Sequence, residues 1–334
     1  MKLKEALKRV IALLPKDKNK SFFHKVRFVS NPSSVFVTDG LQSSLVYVDD
    51  CLPDLLCSSE IIAKAVKDKS DLGIIEQGNG RFSLCSAYNV YHIQGESLAS
   101  FPKPIVPESK LVFDDIDHTP IGSVVYCASK NEKNGGLPFI NFGDGFVEST
   151  DTFRLCRVDY DLPWQGVLPS SLFNKWPKKV KEAGFAVDEY YVYFKLDDEY
   201  RISIIPESKY PNTTNAITLN DDLGLGVVFR KDLLNTVIQA TDISEIKGVS
   251  LIFNNDDLNI RALGRDHVLE DYKGSVAMDG IVREGSISVS GKLLSQCLRN
   301  LKGNFVNITY GVYPGPLVLR SGDTKVVIWP MLSE

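Results

Sequence analysis

One segment of the sequence carries a dense group of side chains that could bind a metal ion. It reads FDDIDH and supplies Asp114, Asp115, Asp117 and His118. Carboxylates are the usual ligands of hard divalent cations, so a nuclease or another metal enzyme is one hypothesis. No second cluster of carboxylates and histidines accompanies it, and an acidic turn leading into a helix explains it equally. We therefore predict no metal, no cofactor and no catalytic residue.

The six cysteines do not indicate a metal site either. They stand at positions 51, 57, 85, 127, 156 and 297, form no CxxC pair and lie mostly among apolar neighbours. The chain has only four histidines, so a zinc site is not expected. Reduced cysteines are typical of a cytoplasmic protein, which is the location we expect.

Composition indicates a soluble globular protein of more than one domain. The chain has 334 residues, of which 43% are hydrophobic and 24% charged, and this length favours two or three separate cores. No run approaches the ~20 apolar residues that a membrane span needs. Lys8 and Arg9 interrupt the apolar stretch near the amino terminus, which argues against a signal peptide.

Most of the sequence reads as short strands separated by turns, and six segments show helical spacing instead. In the first of them, one apolar stripe consists of Leu3, Leu7, Val10, Ile11 and Leu14. Pro177 lies inside the fourth segment and should break or kink a helix there. The six segments are 2–14, 59–69, 121–133, 169–183, 230–240 and 290–302.

The helical segments recur at intervals of about 50–60 residues, so each pair occupies about 110 residues. This spacing predicts three repeats of one α+β unit, each with the order helix, strands, helix, strands. Three prolines between 102 and 107 and a polar stretch at 212–226 suggest the boundaries. The predicted domains are 1–104, 105–224 and 225–334.

Positive charge is concentrated in the six helical segments. They hold 18 of the 38 lysines and arginines but only 6 of the 42 aspartates and glutamates. One interpretation is that lysine simply serves the solvated faces of helices. The other is that the helices face one cavity and form an electropositive track for a phosphate backbone, without base readout.

Several stretches carry a resemblance to a known family. They are GRFSLCSAYNVYHIQGESLASFPKP at 80–104, GDGFVESTDTFRLC at 143–156, and the segment from ISVSGKLL to WPML at 287–332. With YPNTTNAI and VVFRKDLLNTVIQA, they follow the order and spacing of the bacterial DNA polymerase III β subunit, the sliding clamp. The likeness spans nearly the whole chain, although each motif alone is only moderately specific.

This resemblance implies three similar clamp domains, with helices inside and antiparallel sheets outside. Two subunits would form a head-to-tail ring around duplex DNA, without sequence specificity and without catalysis. Such a homodimer would tether DNA polymerase and other replication proteins on the nucleoid, and a separate ATP-driven loader would open it, since the chain has no GxxxxGK[ST] motif. The alternative is a clamp-like regulator or decoy that binds replication or transcription proteins without encircling DNA.

The resemblance implies a pocket for short linear peptides between the second and third domains, and this pocket carries over onto nine positions. A cleft with apolar surface and a few polar groups suits a peptide anchored by Leu or Phe, although Leu155, Val312 and Met331 could also be plain core residues. In two departures, Thr152 replaces a glycine and Phe153 a histidine, so partner choice is expected to differ; Trp329 is also larger than usual. The nine positions are Thr150, Thr152, Arg154, Leu155, Val312, Pro314, Trp329, Pro330 and Met331.

The same resemblance suggests residues for DNA contact. Each is also explained as ordinary solvated surface, so the prediction rests on the group. Ser170 and Ser171 stand where the family has a basic site, and that contact is expected to be lost. Divergence of this extent favours a clamp from a bacteriophage or another mobile element. The predicted DNA-binding residues are Lys20, Lys130, Asn131, Lys175, Lys178 and Lys179.

Overall fold

The computed structural model describes residues 1–14, 22–108, 110–129, 137–217, 224–254, 257–265, 269–311 and 315–331. The chain divides into two compact units. Unit 1 comprises Met1–Gly122 and Leu168–Glu207, and unit 2 comprises Ser123–Val167 and Ser208–Glu334. Among the described residues, no helix is long and apolar enough to cross a membrane.

Short strands dominate both units, as the alternating sequence patterns predicted. The first twelve are β1 (Lys25–Ser30), β2 (Ser33–Thr38), β3 (Gln42–Tyr47), β4 (Leu55–Ser58), β5 (Gly73–Gly78), β6 (Arg81–Cys85), β7 (Val90–Gln94), β8 (Asp114–Asp115), β9 (Phe139–Gly143), β10 (Phe146–Thr150), β11 (Arg154–Asp159) and β12 (Gly166–Pro169). The others are β13 (Ala183–Val187), β14 (Tyr191–Leu196), β15 (Glu199–Ile204), β16 (Gly224–Phe229), β17 (Gly248–Phe253), β18 (Asp257–Leu263), β19 (Leu269–Val282), β20 (Gly285–Ser290), β21 (Phe305–Tyr310), β22 (Leu317–Ser321) and β23 (Thr324–Ile328).

In the described ranges, six α-helices accompany these strands. They are α1 (Leu3–Ile11), α2 (Ser59–Ala65), α3 (Thr119–Val124), α4 (Thr214–Ile217), α5 (Arg230–Ile243) and α6 (Gly291–Asn300). Serine side chains cap two of them, because Ser58 accepts a hydrogen bond from the Glu60 N–H and Ser290 from that of Leu293. Five of the six predicted helical segments overlap one of these helices.

Unit 1 is built on an eight-stranded sheet with the order β4-β1-β2-β3-β15-β14-β13-β8, and on a three-stranded sheet, β5-β6-β7. Neighbouring strands are antiparallel, including β3 and β15, where Ser44 lies opposite Arg201. The helix α1 buries Leu3, Leu7 and Val10 against this unit's core, which confirms the predicted stripe. The sheet thus joins strands that lie far apart in the sequence.

Unit 2 contains a twelve-stranded sheet with the order β12-β9-β10-β11-β23-β22-β21-β16-β19-β18-β17-β20. At β12 the chain passes from unit 2 to unit 1. Here β11 pairs antiparallel with β23, so that Leu155 lies opposite Val327. The helices α5 and α6 pack on each other and bury Leu233, Val237 and Leu294. The pairing of β11 with β23 places the turn between β10 and β11 beside the last strand.

The segment 169–183 is not an α-helix, and that prediction was wrong. A short 3-10 helix covers Ser170–Phe173, and Asn174 then takes an extended conformation with ψ 132°. Pro177 cannot donate to a helix and disfavours helical dihedrals in the residue before it. That residue, Trp176, instead packs its ring on Phe173 and donates through Nε1 to the His118 carbonyl at 2.9 Å. Ring packing therefore replaces helical hydrogen bonds.

A fully buried ion pair holds this same segment in unit 1. The Arg201 Nε donates to Glu199 Oε1 at 2.7 Å, and both side chains are inaccessible to solvent. Nη1 of Arg201 donates to the carbonyls of Leu172 and Asn174 at 2.7 and 2.9 Å. These bonds give the buried guanidinium hydrogen-bond partners within the core. They also hold the backbone at Leu172 and Asn174 in place, where the following loop begins.

Candidate functional site

The turn between β10 and β11, residues 150–154, is held by a closed set of hydrogen bonds. The Thr150 hydroxyl donates to the Arg154 carbonyl at 2.7 Å and accepts from the Thr152 N–H at 3.1 Å. Oδ1 of Asp151 accepts from the N–H groups of Phe153 and Arg154 at 3.1 and 3.0 Å. Short polar side chains commonly close turns in this way. We call this turn the β10–β11 hairpin.

Two residues at its tip are exposed, and one has an unusual backbone. Thr152 has φ 77°, in the left-handed region where a β-branched residue is a genuine outlier and glycine is preferred. Phe153 is 66% exposed. The resemblance places glycine and histidine at these positions, so the turn keeps a glycine-like backbone while carrying a larger side chain.

Arg154 is a structural residue within unit 2. It is only 5% exposed, and its guanidinium donates to Asp151 Oδ2 at 3.0 Å, to Gln296 Oε1 at 2.9 Å and to the Tyr126 carbonyl at 2.8 Å. These bonds tie the hairpin to α6 and to the 3-10 helix Val125–Cys127. Leu155 is also fully buried, so both residues support the site from beneath.

The end of the last strand lies beside the hairpin. The Trp329 N–H donates to the Phe153 carbonyl at 3.0 Å, and the Met331 N–H donates to that of Ser288 at 2.8 Å. Trp329, Pro330 and Met331 are all partly exposed. Unit 2 therefore brings the seven described residues of the predicted pocket into one region, whereas Val312 and Pro314 lie outside the described residues.

Buried thiols surround this region and carry no reactive character. Cys127 and Cys297 are fully buried in unit 2, and burial raises the pKa of both thiols well above the ordinary value. In unit 1, burial raises the pKa of Cys57 to about 12. A thiol must ionise to become a nucleophile, so these three groups stay protonated at neutral pH.

Three predicted DNA-binding lysines are exposed, but their setting differs from the prediction. Lys175, Lys178 and Lys179 are exposed on the loop that follows the 3-10 helix Ser170–Phe173, and not beside an α-helix. Lys175 has φ 48°, which a helix does not allow. Lys20, Lys130 and Asn131 lie outside the described residues.

Other exposed cations on the helices were not named from the sequence. They lie on or just after α1 and α2 of unit 1 and on α6 of unit 2. The signal was present as lysine or arginine between apolar helical positions, but the spacing alone did not indicate which of them are solvent-facing. These residues are Lys8, Lys64, Lys67, Lys69, Lys292 and Arg299, and α5 adds the exposed Lys231.

The FDDIDH segment has a structural explanation in unit 1. Asp114 and Asp115 form β8 and pair with β13, and Asp117 Oδ1 accepts a hydrogen bond from the Thr119 N–H at 2.9 Å where α3 begins. The His118 carbonyl accepts the hydrogen bond from Trp176. In the described part of the chain, no group of three or more His, Cys, Asp or Glu side chains could hold a metal ion.

Comparison with solved structures identifies the fold as that of the bacterial DNA sliding clamps. The DNA polymerase III β subunit of Thermotoga maritima matches 99% of this chain and 97% of its own, with a TM-score of 0.81 and 14% identity. The sliding clamp of Bartonella birtlesii bound to griselimycin matches 98% and 97%, with a TM-score of 0.82 and 15% identity. That of Bacillus subtilis matches 99% and 97%, with a TM-score of 0.79 and 17% identity. No protein-family model and no curated protein sequence matches the chain.

These matches confirm the predicted α+β clamp fold with antiparallel sheets. They extend over nearly the full length of both chains. Sequence identity of 14–17% supports a statement about the fold, while function depends on the residues placed on it.

Proposed function

We propose that this protein is a DNA sliding clamp, a non-catalytic processivity factor that encircles duplex DNA and tethers replication proteins. The observation that carries the proposal is the clamp fold over 99% of the chain. Exposed cations on helices of each unit and on the Lys175–Lys179 loop of unit 1 suit contact with a phosphate backbone. Three domains, 1–104, 105–224 and 225–334, would build each half of a homodimeric ring.

A head-to-tail ring requires two different, complementary surfaces on each chain. Unit 1 exposes Ile75 and Val90 on one face of its three-stranded sheet, and unit 2 exposes Ile243 at the end of α5. Exposed apolar residues on separate units suit such a contact. Light scattering should therefore give twice the chain mass of 37.1 kDa, and a stable monomer would contradict the ring.

The β10–β11 hairpin and the end of β23 form the proposed peptide site. Phe153 and Trp329 are neighbours through the hydrogen bond between their backbones, and both offer aromatic surface to a peptide anchor. Phe153→Ala should weaken binding of a polymerase peptide by about tenfold or more. Leu155→Ala is a poorer test, because it empties a buried position and lowers stability by about 2–5 kcal/mol.

DNA binding by the lysine loop is tested through salt dependence. Each phosphate contact contributes about 0.9 to the slope of log affinity against log salt concentration for duplex DNA. Lys175→Ala, Lys178→Ala and Lys179→Ala together should therefore reduce the slope by up to about 3, while Lys209→Ala, another exposed lysine, serves as control. An unchanged slope would remove this loop from the DNA surface. Encirclement itself predicts long retention on closed circular DNA and short retention on linear DNA of the same sequence.

The second candidate function is a regulator or decoy that binds replication or transcription proteins without encircling DNA. The altered hairpin tip at Thr152 and Phe153 and the missing helix in 169–183 favour it. A monomer with peptide affinity but no difference between circular and linear DNA would support this function over the first.

A further inference from the structure

Unit 1 contains a second hairpin with the same hydrogen bonds as the β10–β11 hairpin. Between β2 and β3, the Thr38 hydroxyl donates to the Gln42 carbonyl at 2.9 Å and accepts from the Gly40 N–H at 3.0 Å. Oδ1 of Asp39 accepts from the N–H groups of Leu41 and Gln42, both at 2.9 Å. We call this turn, residues 38–42, the β2–β3 hairpin.

The correspondence between the two hairpins extends to each position. Thr-Asp begins both, at 38 and at 150, and the third residue has positive φ in both, 91° at Gly40 and 77° at Thr152. In each hairpin the side chain of the fifth residue donates to Oδ2 of the aspartate at 3.0 Å. Gln42 donates through Nε2 to Asp39, and Arg154 donates through Nε to Asp151. The fourth side chain is exposed in both, 58% at Leu41 and 66% at Phe153.

The neighbouring strand end also repeats. The Ile204 N–H donates to the Leu41 carbonyl at 2.9 Å, as the Trp329 N–H does to that of Phe153. The next residue, Ile205, donates to the Tyr190 carbonyl at 3.0 Å. Tyr190 immediately precedes β14. Backbone hydrogen bonds thus bring three segments together in unit 1.

These three segments expose apolar side chains. Leu41 is 58% exposed, Ile204 38% and Tyr190 61%. Leu41 and Ile204 adjoin through their backbone hydrogen bond, and Tyr190 directly precedes Tyr191, which lies opposite Ile204 in the β14–β15 pairing. Large apolar residues that cluster on a surface mark interaction sites more often than scattered ones do. We call these three residues the unit 1 patch.

The turn that carries Tyr190 is ordered rather than loose. Oδ1 of Asp188 accepts from the N–H groups of Tyr190 and Tyr191, both at 2.8 Å, and Oδ2 accepts from the Tyr193 hydroxyl at 2.7 Å. Burial alone would raise the pKa of Asp188, but these bonds outweigh it and lower the pKa below the ordinary value. A surface held in this way loses little conformational freedom when a ligand binds.

Charge around the unit 1 patch indicates the kind of ligand. Glu189 precedes Tyr190, and Glu207 follows Ile204 by three positions; both carboxylates are exposed. Within the described part of the chain, neither forms an ion pair. Two exposed carboxylates close to the unit 1 patch in the sequence complement lysine or arginine beside an apolar anchor.

We propose that the unit 1 patch is a second peptide-docking site, for an extended segment with an aliphatic anchor flanked by basic residues. This inference rests on the proposed function, because it assumes by analogy that the β10–β11 hairpin binds peptides. The two sites differ in chemistry, since Leu41 and Ile204 replace the aromatic Phe153 and Trp329. A partner with two different segments could then occupy both sites of one chain and gain avidity.

The probe is a random twelve-residue peptide library displayed on phage and selected against the full chain. Recovered peptides are then measured by fluorescence polarisation against Leu41→Ser, Tyr190→Ser and Phe153→Ser, with Tyr88→Ser as a control at another exposed apolar residue of unit 1. All four positions are exposed, so the variants should fold, and circular dichroism verifies this.

We expect a class of basic, aliphatic peptides that Leu41→Ser and Tyr190→Ser each weaken by about tenfold or more, while Phe153→Ser and Tyr88→Ser leave it unchanged. Glu189→Gln should weaken the same class at low salt. If every recovered peptide depends on Phe153 alone, the unit 1 patch is not a docking site and the proposed function stands. If peptides depend on the unit 1 patch alone, this inference stands and the pocket at the β10–β11 hairpin fails. Loss of self-association in Leu41→Ser would overturn the inference by making the unit 1 patch a contact between copies.

Discussion

Replacing Thr152 with glycine should stabilise unit 2. A β-branched residue in the left-handed region costs about 1–2 kcal/mol relative to glycine, and Thr152 has φ 77° there. Glycine also lowers stability by about 0.5–1 kcal/mol, because the unfolded chain has more conformational freedom at a glycine. The net expectation for Thr152→Gly is a gain of about 0.5–1 kcal/mol, because the N–H of position 152 keeps its bond to Thr150 and only the exposed hydroxyl's bond to the adjacent Asp151 carbonyl is lost.

The β2–β3 hairpin allows the reverse substitution at the corresponding position, Gly40, as a control. Gly40 has φ 91°, and a Cβ at this position would lie 3.1 Å from Cζ of Phe23. Gly40→Thr therefore introduces the strain that Thr152→Gly removes and adds a close contact, so we expect a loss of about 2 kcal/mol or more. Thr152→Ala should fall between wild type and Thr152→Gly, since alanine keeps a Cβ without the branch.

Urea unfolding and calorimetry measure both effects. A change of 1 kcal/mol shifts the melting temperature by about 2–4 °C for a unit of this size. A destabilised Thr152→Gly would show that the threonine side chain makes contacts worth more than its backbone strain. Neutral behaviour of Gly40→Thr would contradict the strain argument for both hairpins.

Three further predictions concern unit 1. Glu199→Ala leaves Arg201 charged and without its carboxylate partner in the core, so the free energy of unfolding should fall by about 3–5 kcal/mol. The double variant Glu199→Leu with Arg201→Met should recover only part of this loss in urea titrations, because the Leu172 and Asn174 carbonyls then lack their donor. Because folding lowers the pKa of Asp188, its contribution to stability is present above the unfolded pKa and is lost as pH falls through the folded value. Asp188→Asn should therefore flatten the acid limb of the stability–pH curve, and an unchanged limb would refute this role. Iodoacetamide should label the exposed Cys51 and spare Cys57 in the native protein, and mass spectrometry of tryptic peptides would reveal the opposite order.

Sequence reasoning was strongest where patterns are local. The apolar stripe of α1 and the two helices α5 and α6 follow from helical spacing, and the order of the family motifs indicated the clamp fold. It failed at 169–183, because Trp176 gains ring contacts and a hydrogen bond to the His118 carbonyl that no local pattern shows. Tertiary packing decided the conformation there.

The candidate site was predicted in part. The position of the β10–β11 hairpin beside the last strand followed from the resemblance, but the burial of Arg154 and Leu155 did not. Burial depends on the pairing of β11 with β23, which joins residues far apart in the sequence. The second hairpin had a visible signal, Thr-Asp at 38 and again at 150, yet two residues are too few to predict a shared set of hydrogen bonds.

Release from DNA on linearisation tests the clamp function most directly. The chain would be incubated at high concentration with nicked circular plasmid, so that rings assemble on the DNA, and free protein would be removed by gel filtration. A restriction enzyme then opens the circle while bound protein is followed over time. A ring held by topology should stay on the uncut circle and leave soon after cutting, at a salt concentration that abolishes simple electrostatic binding. Equal loss from cut and uncut plasmid would contradict encirclement.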